Sequence, residues 1–252
     1  MSVEKLRGGN RIVGVMARMI RNPALAQIAK NGGLDFIMLD MEHGAYSIET
    51  FSDIAQMARS VGLGIFVRVP ELSKGYVSRI MDAGADGVMV PGIRTAGEVE
   101  DLVNWSRYAP LGKRGLGTPS GHTGFGGMGS DAATFMVRQN NLTLAIAQIE
   151  TKEAINNIEE IAAVKGVDVL LIGPNDLSIS LGVPGEIMGE TMQRAIAKVA
   201  DAAAQNGKVF AMHSGDALLD KWQSRGMQMV MNSLDISILD STFASIAQKY
   251  GQ

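Results

Sequence analysis

Residues 39–47 read LDMEHGAYS and begin on the last two residues of the apolar run DFIMLD, so a chain with only three histidines sets one of them beside two carboxylates. Asp40-Met41-Glu42-His43 thus supplies the parts of an acid/base cluster at the point where a buried strand ends. The competing reading is that these residues only cap the strand. Other polar residues close apolar runs in the same way: Arg68 in FVRVPE, Gln148 and Glu150 in AQIET, and Asn175-Asp176 in LLIGPNDLS. If the runs before Glu150 and Asp176 are neighbouring strands, roughly 4.8 Å apart, the two carboxylates can reach one cation without backbone strain. The chain has no cysteine and no histidine beside this pair, so the ligands are hard oxygens that suit Mg²⁺ or Mn²⁺ better than structural zinc. The alternative is that each carboxylate caps a helix. Arg68 has two readings as well: a forked cation for a developing oxyanion, or an ordinary salt bridge to Glu42 or Glu71.

These residues need elements that bring them together. Short apolar runs occur at 12–17, 35–40, 65–69, 87–91, 144–150, 167–173, 209–214 and 227–232. Each precedes an amphipathic stretch of helical character: 22–31, 50–61, 73–83, 96–107, 152–164, 186–206, 216–225 and 235–249. Near-continuous apolar strands indicate a parallel sheet covered on both sides. Eight such pairs spread over residues 1–252 predict an α/β chain of one domain, a (β/α)8 TIM barrel. A doubly wound open sheet is the rival, but MARMIRNP after the first strand lacks the glycine-rich turn it would need. In a barrel the strand ends share one mouth, so His43, Arg68, Gln148, Glu150, Asn175 and Asp176 converge there.

Composition bounds the function. The formal net charge of −3 gives no electrostatic reason to expect nucleic acid or an anionic membrane as partner. No apolar run is long enough to span a bilayer, and the start, MSVEKLRGGNRIVG, is not a secretory signal. The absence of cysteine suits a cytoplasmic protein.

LDMEH, FVRVP, GADGVMVP, KRGLG, AQIET and GVDVLLIGPNDLS, in that order, resemble the HpcH/HpaI aldolase family, the 4-hydroxy-2-oxoheptanedioate and 2-keto-3-deoxy sugar-acid aldolases, over about residues 10–240. The resemblance implies a metal-dependent class II pyruvate aldolase that cleaves a 4-hydroxy-2-keto acid to pyruvate and an aldehyde through an enolate, on a TIM barrel assembled as a hexamer. It implies Glu150 and Asp176 as metal ligands, with Gln148, Asn175 and Asp176 contacting substrate. It implies Arg68 as the group stabilising the transition state, and Asp82 as the carboxylate that holds His43. On this basis His43 is read as the base.

A Schiff-base mechanism would need a lysine at the mouth. Lys165 and Lys208 precede strands, and Lys152 opens a helix, so a divalent cation (Mg²⁺, Mn²⁺ or Co²⁺) is expected as electron sink, with no organic cofactor. His122, in the glycine-rich loop 115–130, and His213, ending a strand, compete with His43 for the base role. That loop departs from the family pattern, and as a loop over the mouth it is expected to select the aldehyde. Related readings are an oxaloacetate decarboxylase or a CoA-ester lyase; remoter ones are a phosphate-binding isomerase and a barrel without catalysis. The C-terminal helix, apolar at 236, 238, 239, 243 and 246, is expected to pack subunits together.

Overall fold

The computed structural model describes residues 2–251. Eight strands, β1 (Ile12–Ala17), β2 (Phe36–Asp40), β3 (Gly64–Arg68), β4 (Gly87–Val90), β5 (Leu144–Ile149), β6 (Val169–Ile172), β7 (Val209–Ser214) and β8 (Met227–Leu234), pair in chain order, and β8 closes onto β1. Every pairing is parallel. The expected closed barrel is therefore present, with helices on its outside.

The helices are α1 (Ser2–Arg7), α2 (Ala24–Asn31), α3 (Ile48–Val61), α4 (Lys74–Ala83), α5 (Ala96–Ser106) and α6 (Ala132–Leu142). They continue with α7 (Lys152–Asn156), α8 (Ile158–Ala163), α9 (Pro174–Ser180), α10 (Glu190–Gln205), α11 (Asp216–Gln223) and α12 (Asp235–Tyr250). Side chains of Ser47, Ser73, Thr95, Asp131 and Thr151 accept backbone N–H groups at the starts of α3, α4, α5, α6 and α7. The helix expected over 152–164 is two short ones meeting at Asn157. Three helices have no counterpart in the sequence reading. One is α1, whose Val3 and Leu6 plug the barrel floor; α6, of eleven residues, and the shorter α9, of seven, interrupt loops.

Alternation along each strand sorts the core into two layers. Met16, Met38, Phe66, Met89, Ile146, Leu171, Ala211 and Met231 fill the barrel interior. Val15, Ile37, Leu39, Ile65, Val67, Val88 and Val90 face the helices. At Gly14 a Cβ would come within 2.5 Å of the Phe36 ring, so this strand position must lack a side chain. Two residues up from Met38, Phe66, Ile146, Leu171 and Ala211, the inward sequence turns polar or bare: Asp40, Arg68, Gln148, Gly173 and His213. The packed interior thus ends at one level, and the chemistry begins there.

The last helix differs from the others. In α12 only Asp235 is buried, while Ile236, Ile238, Phe243, Ile246 and Tyr250 are exposed. Val13, on the outer side of β1, is also uncovered. No helix of the described residues is long and apolar enough to cross a membrane.

Candidate active site

The polar level of the barrel surrounds a cavity of about 290 Å³, whose lining includes Arg18, His43, Arg68, Gln148, Asp176 and His213. Its organising pair is Asp40 and Arg68, which face each other in the register of β2 and β3. Arg68 Nε donates to Asp40 Oδ1 at 2.8 Å, and Nη2 donates to Oδ2 at 2.6 Å. Arg18 Nε, from the loop after β1, donates to the same Oδ2 at 2.6 Å. Burial would raise the Asp40 pKa, but the two guanidinium groups outweigh it and bring the carboxyl down to about 2. Burial likewise opposes the Arg68 charge, and Asp40, Glu42 and Glu150 more than restore it. Glu42 Oε2 lies 2.9 Å from Arg68 Nη1 without hydrogen-bond geometry, so that contact is an ion pair only. The salt-bridge reading of Arg68 is thus correct as far as it goes, and the same side chain still faces the cavity.

Asp40 also answers the capping question raised by LDMEH. Its Oδ1 accepts the backbone N–H groups of Glu42 at 3.1 Å and His43 at 3.3 Å, so Asp40 is the residue that closes the strand. The His43 imidazole is left half exposed at the cavity, 3.9 Å from Glu42 Oε2. It is placed to meet a substrate, with no short bond to a carboxylate in its own chain.

On the opposite wall, Glu150 follows β5 and is buried. Its Oε1 accepts Gly92 N–H at 2.6 Å, and its Oε2 accepts from Gln148 Nε2. Gly173 makes room for this: a Cβ there would stand 2.5 Å from Glu150 Oε2 and 2.7 Å from Gln148 Nε2. Burial, joined by the charges of Asp176 and Glu42, pushes the Glu150 pKa up to about 7, against the Gly92 bond and Arg68. Thr151, not Glu150, caps α7, and Asp176 lies in the first turn of α9 after Pro174. Gln148 Oε1 is buried with no partner among the described residues.

These observations fit a divalent cation. Close carboxylates that burden each other's charge, an orphaned amide oxygen and an all-oxygen donor set are what a hard cation relieves. Among the described residues no three His, Cys, Asp or Glu side chains gather into a metal cage, so Glu150 and Asp176 would leave positions open for water and substrate.

Three expectations meet a different geometry. Helices run opposite to the strands, so the last turn of α4 lies at the barrel floor, away from the mouth. Asp82 sits in that turn, and Arg114 Nη2 donates to its Oδ1 at 2.6 Å; it makes no contact with His43 within the chain. The loop 115–130 follows α5 and precedes β5, so it leaves from the floor and does not overhang its own mouth. Within it His122 is buried, with Ser120 Oγ 2.7 Å from Nδ1 and Tyr108 Oη 3.2 Å from Nε2. His122 thus packs at the floor and does not line the cavity of its own chain. His213 does reach the mouth, with Nε2 3.1 Å from Ser233 O.

Two contributors escaped the sequence reading. Arg18 stands one residue past β1, in the same relation to its strand as the other mouth residues, and that position was the available signal. Asp235 is buried at the start of α12 and accepts the N–H groups of Arg18 at 3.0 Å, Met19 at 2.9 Å and Ile20 at 2.9 Å. Tyr46 Oη donates to Ile20 O at 2.9 Å, so the loop that carries Arg18 is fixed from two sides.

With this geometry in place, comparison with known proteins is specific. A hydroxypyruvate/pyruvate aldolase of Roseobacter denitrificans is 32% identical over 229 residues, 90% of this chain and 88% of that protein. A 4-hydroxy-4-methyl-2-oxoglutarate aldolase of Chaetomium globosum is 35% identical over 211 residues, 82% of this chain and 77% of that one. The crystal structure of an HpcH/HpaI aldolase from Desulfitobacterium hafniense superposes with a TM-score of 0.93 at 32% identity, over 98% of this chain and 95% of that chain. Residues 18–239 match the family model for HpcH/HpaI aldolase/citrate lyase, and the chain belongs to that family.

Proposed function

We propose that the whole chain works as one barrel that reversibly cleaves a 4-hydroxy-2-keto acid to pyruvate and an aldehyde. The observation that carries this reading is that His43, Arg68 and Asp176 line one small cavity, with the buried Glu150 close enough behind it to feel the charges of Asp176 and Arg68, in a chain of this family. Glu150 and Asp176 would hold a divalent cation, Mg²⁺, Mn²⁺ or Co²⁺, with Gln148 and Asn175 contacting the substrate beside it. Such a cation supplies Lewis acidity toward the 2-oxo group.

The protein's own groups do the rest. In the cleavage direction His43 takes the proton of the C4 hydroxyl, the C3–C4 bond breaks, and its electron pair moves to the C2–C3 unit while C4 leaves as an aldehyde. Negative charge then gathers on the C2 oxygen, where the Arg68 guanidinium, held by Asp40, faces it without having to reorganise. A proton returned to C3 completes pyruvate. In the synthetic direction the same groups remove a methyl proton from pyruvate.

Assembly belongs to this proposal. An exposed helix with five large apolar side chains, beside an uncovered Val13, calls for a second copy of the chain to cover it. We read the protein as a homo-oligomer, a hexamer, built on α12. Asp82 and the loop 115–130 lie at the floor, so they can serve His43 or a substrate only across a contact between copies. The absence of cysteine suits a cytoplasmic setting.

The test is a screen of 4-hydroxy-2-keto acids with pyruvate release coupled to an indicator, with and without EDTA. Release that EDTA stops and a divalent cation restores supports the reading. No release from any of these acids with cation present opposes it.

A further inference from the structure

Beside the cavity of His43 and Arg68 lies another of about 420 Å³, on the side of β7 and β8. Both are lined by Pro174, Asn175, His213 and Leu234, so they adjoin, with His213 at the junction. Catalysis as proposed above uses only the first cavity. The second is large enough for the other half of a substrate.

The surroundings of His213 fix its tautomer. Ser233 O can only accept, so the ring nitrogen 3.1 Å from it, Nε2, carries the hydrogen. Ser233 presents that carbonyl from a left-handed backbone, φ 63°, an uncommon conformation for a residue with a side chain. Burial disfavours a second proton on the ring; the Ser233 bond works the other way, but the charges of Arg68 and Arg18 add to the burial effect. His213 is therefore neutral near pH 7, and Nδ1 is a lone-pair acceptor that no described residue meets with a donor.

The rest of the lining is mostly polar, with Pro174, Ile187 and Leu234 as its apolar members. The hydroxyls of Ser214, Ser233 and Ser237 have no hydrogen-bond partner among the described residues. Asn232 Nδ2 donates to Asp216 Oδ1 at 2.8 Å and to Ser214 O at 3.3 Å, which leaves its amide oxygen free to accept. No lysine or arginine lines this cavity, and Asp216 adds a carboxylate. A carboxylate or phosphate entering here would meet the like charge of Asp216, with no lysine or arginine in the lining to pair with it directly. An alkyl chain would strand the acceptors and hydroxyls without partners. A neutral chain bearing hydroxyls satisfies both conditions.

We infer that this second cavity is the aldehyde subsite and that it selects uncharged, hydroxylated aldehydes, with Nδ1 of His213 accepting a hydrogen bond from a substrate hydroxyl. The inference rests on the aldolase reading and names the half of the substrate that reading leaves open.

The experiment compares kcat/KM for aldol addition of pyruvate to D-glyceraldehyde, propionaldehyde, succinic semialdehyde and glyceraldehyde 3-phosphate, using the full-length protein with Mn²⁺. Glyceraldehyde is expected to exceed each of the other three by at least ~10-fold, the worth of one well-made hydrogen bond. His213→Leu should bring the ratio of glyceraldehyde to propionaldehyde close to one. His213→Asn, which keeps an acceptor near the place of Nδ1, should restore part of it. A native ratio near one, a preference for either anionic aldehyde, or a ratio that survives in His213→Leu overturns the inference. Exchange of pyruvate methyl protons in D₂O separates the two levels of failure. Exchange by the native protein without the hydroxyl preference sinks only the subsite, whereas absence of exchange sinks the aldolase reading and this inference with it.

Discussion

Asp40 and Arg68 are joined by two parallel hydrogen bonds, 2.8 Å and 2.6 Å, across facing positions of β2 and β3 at the level where the barrel interior turns from apolar to polar. The fork fixes the plane of the guanidinium before any substrate arrives, which is what an oxyanion site requires. Asp40→Ala would leave a buried arginine without its main counter-charge. We expect it to cost about 3–5 kcal/mol of stability in urea unfolding and to abolish turnover. A variant as stable and as active as the native protein would remove Asp40 from the account.

The same pair sets an acid limit. Its carboxyl titrates near 2 when folded, below its ordinary 3.8, so the unfolded chain binds the proton more readily. The contribution of Asp40 is therefore complete above its unfolded pKa and is lost as pH falls through the folded one. Asp86 has the opposite sign. Burial, opposed by the Ile65 N–H and more distant charges, raises it from 3.8 to about 6, so the folded state binds the proton more readily and stability drains away as pH rises across that interval. Asp86→Asn should gain on the native protein between pH 4 and pH 7, by about 1 kcal/mol after solvent screening of this partly accessible residue. Unfolding midpoints at the two pH values decide it, and an advantage that shrinks toward pH 7 would reverse the sign.

Asp235 acts at a distance from the reacting atoms. It accepts three consecutive N–H groups of the loop after β1, and that loop carries Arg18 onto Asp40. Asp235→Ala should cost about 2–3 kcal/mol through the unsatisfied donors, measured by urea unfolding. It should also lower kcat for aldol cleavage more than it raises KM, since it disturbs the orientation of Arg68 through Arg18 and Asp40. A loss of stability with unchanged kinetics would make it purely structural.

For the cation, Asp176→Ala should leave the barrel folded by circular dichroism, because the residue lies above the packed interior. Cation-dependent turnover should fall at least ~10²-fold, and titration calorimetry should show weaker Mn²⁺ binding. Native-like binding and turnover would move the cation elsewhere.

For assembly, light scattering at micromolar concentration should report a species well above one chain. Replacing Phe243 and Ile246 by Glu on the exposed face of α12 should shift it toward the monomer. A native protein that is already monomeric would contradict the role given to that helix.

Much of this was legible in the residues. Short apolar runs such as FIMLD and GVMV, alternating eight times with amphipathic stretches, read as strands covered on both faces, which is why the barrel could be read without coordinates. The polar strand ends were visible for the same reason. The Asp40–Arg68 fork was not, because partners 28 residues apart depend on strand register, which the sequence does not display. Arg18 and Asp235 are likewise tied across 217 positions by a loop and a helix start. The loop 115–130 was misplaced for a reason that counting could have cured. A segment between a helix and the next strand belongs to the floor, and Asp82 in the last turn of α4 belongs there too. The mouth of β7 and β8 was legible in part: His213 stood out as a strand end, but the serines around it carry no periodic signal that says what they would hold.

The central claim is that His43 moves the proton while Arg68 holds the charge, and exchange of pyruvate methyl protons in D₂O, followed by NMR with Mn²⁺ present, tests it with no aldehyde involved. The account predicts exchange by the native protein, a loss of roughly 10²–10⁴-fold in His43→Ala with pyruvate binding little changed, and a clear loss in Arg68→Lys, which keeps the charge but not the fork. Exchange at the native rate in His43→Ala would contradict it and pass the base role to another group at the mouth.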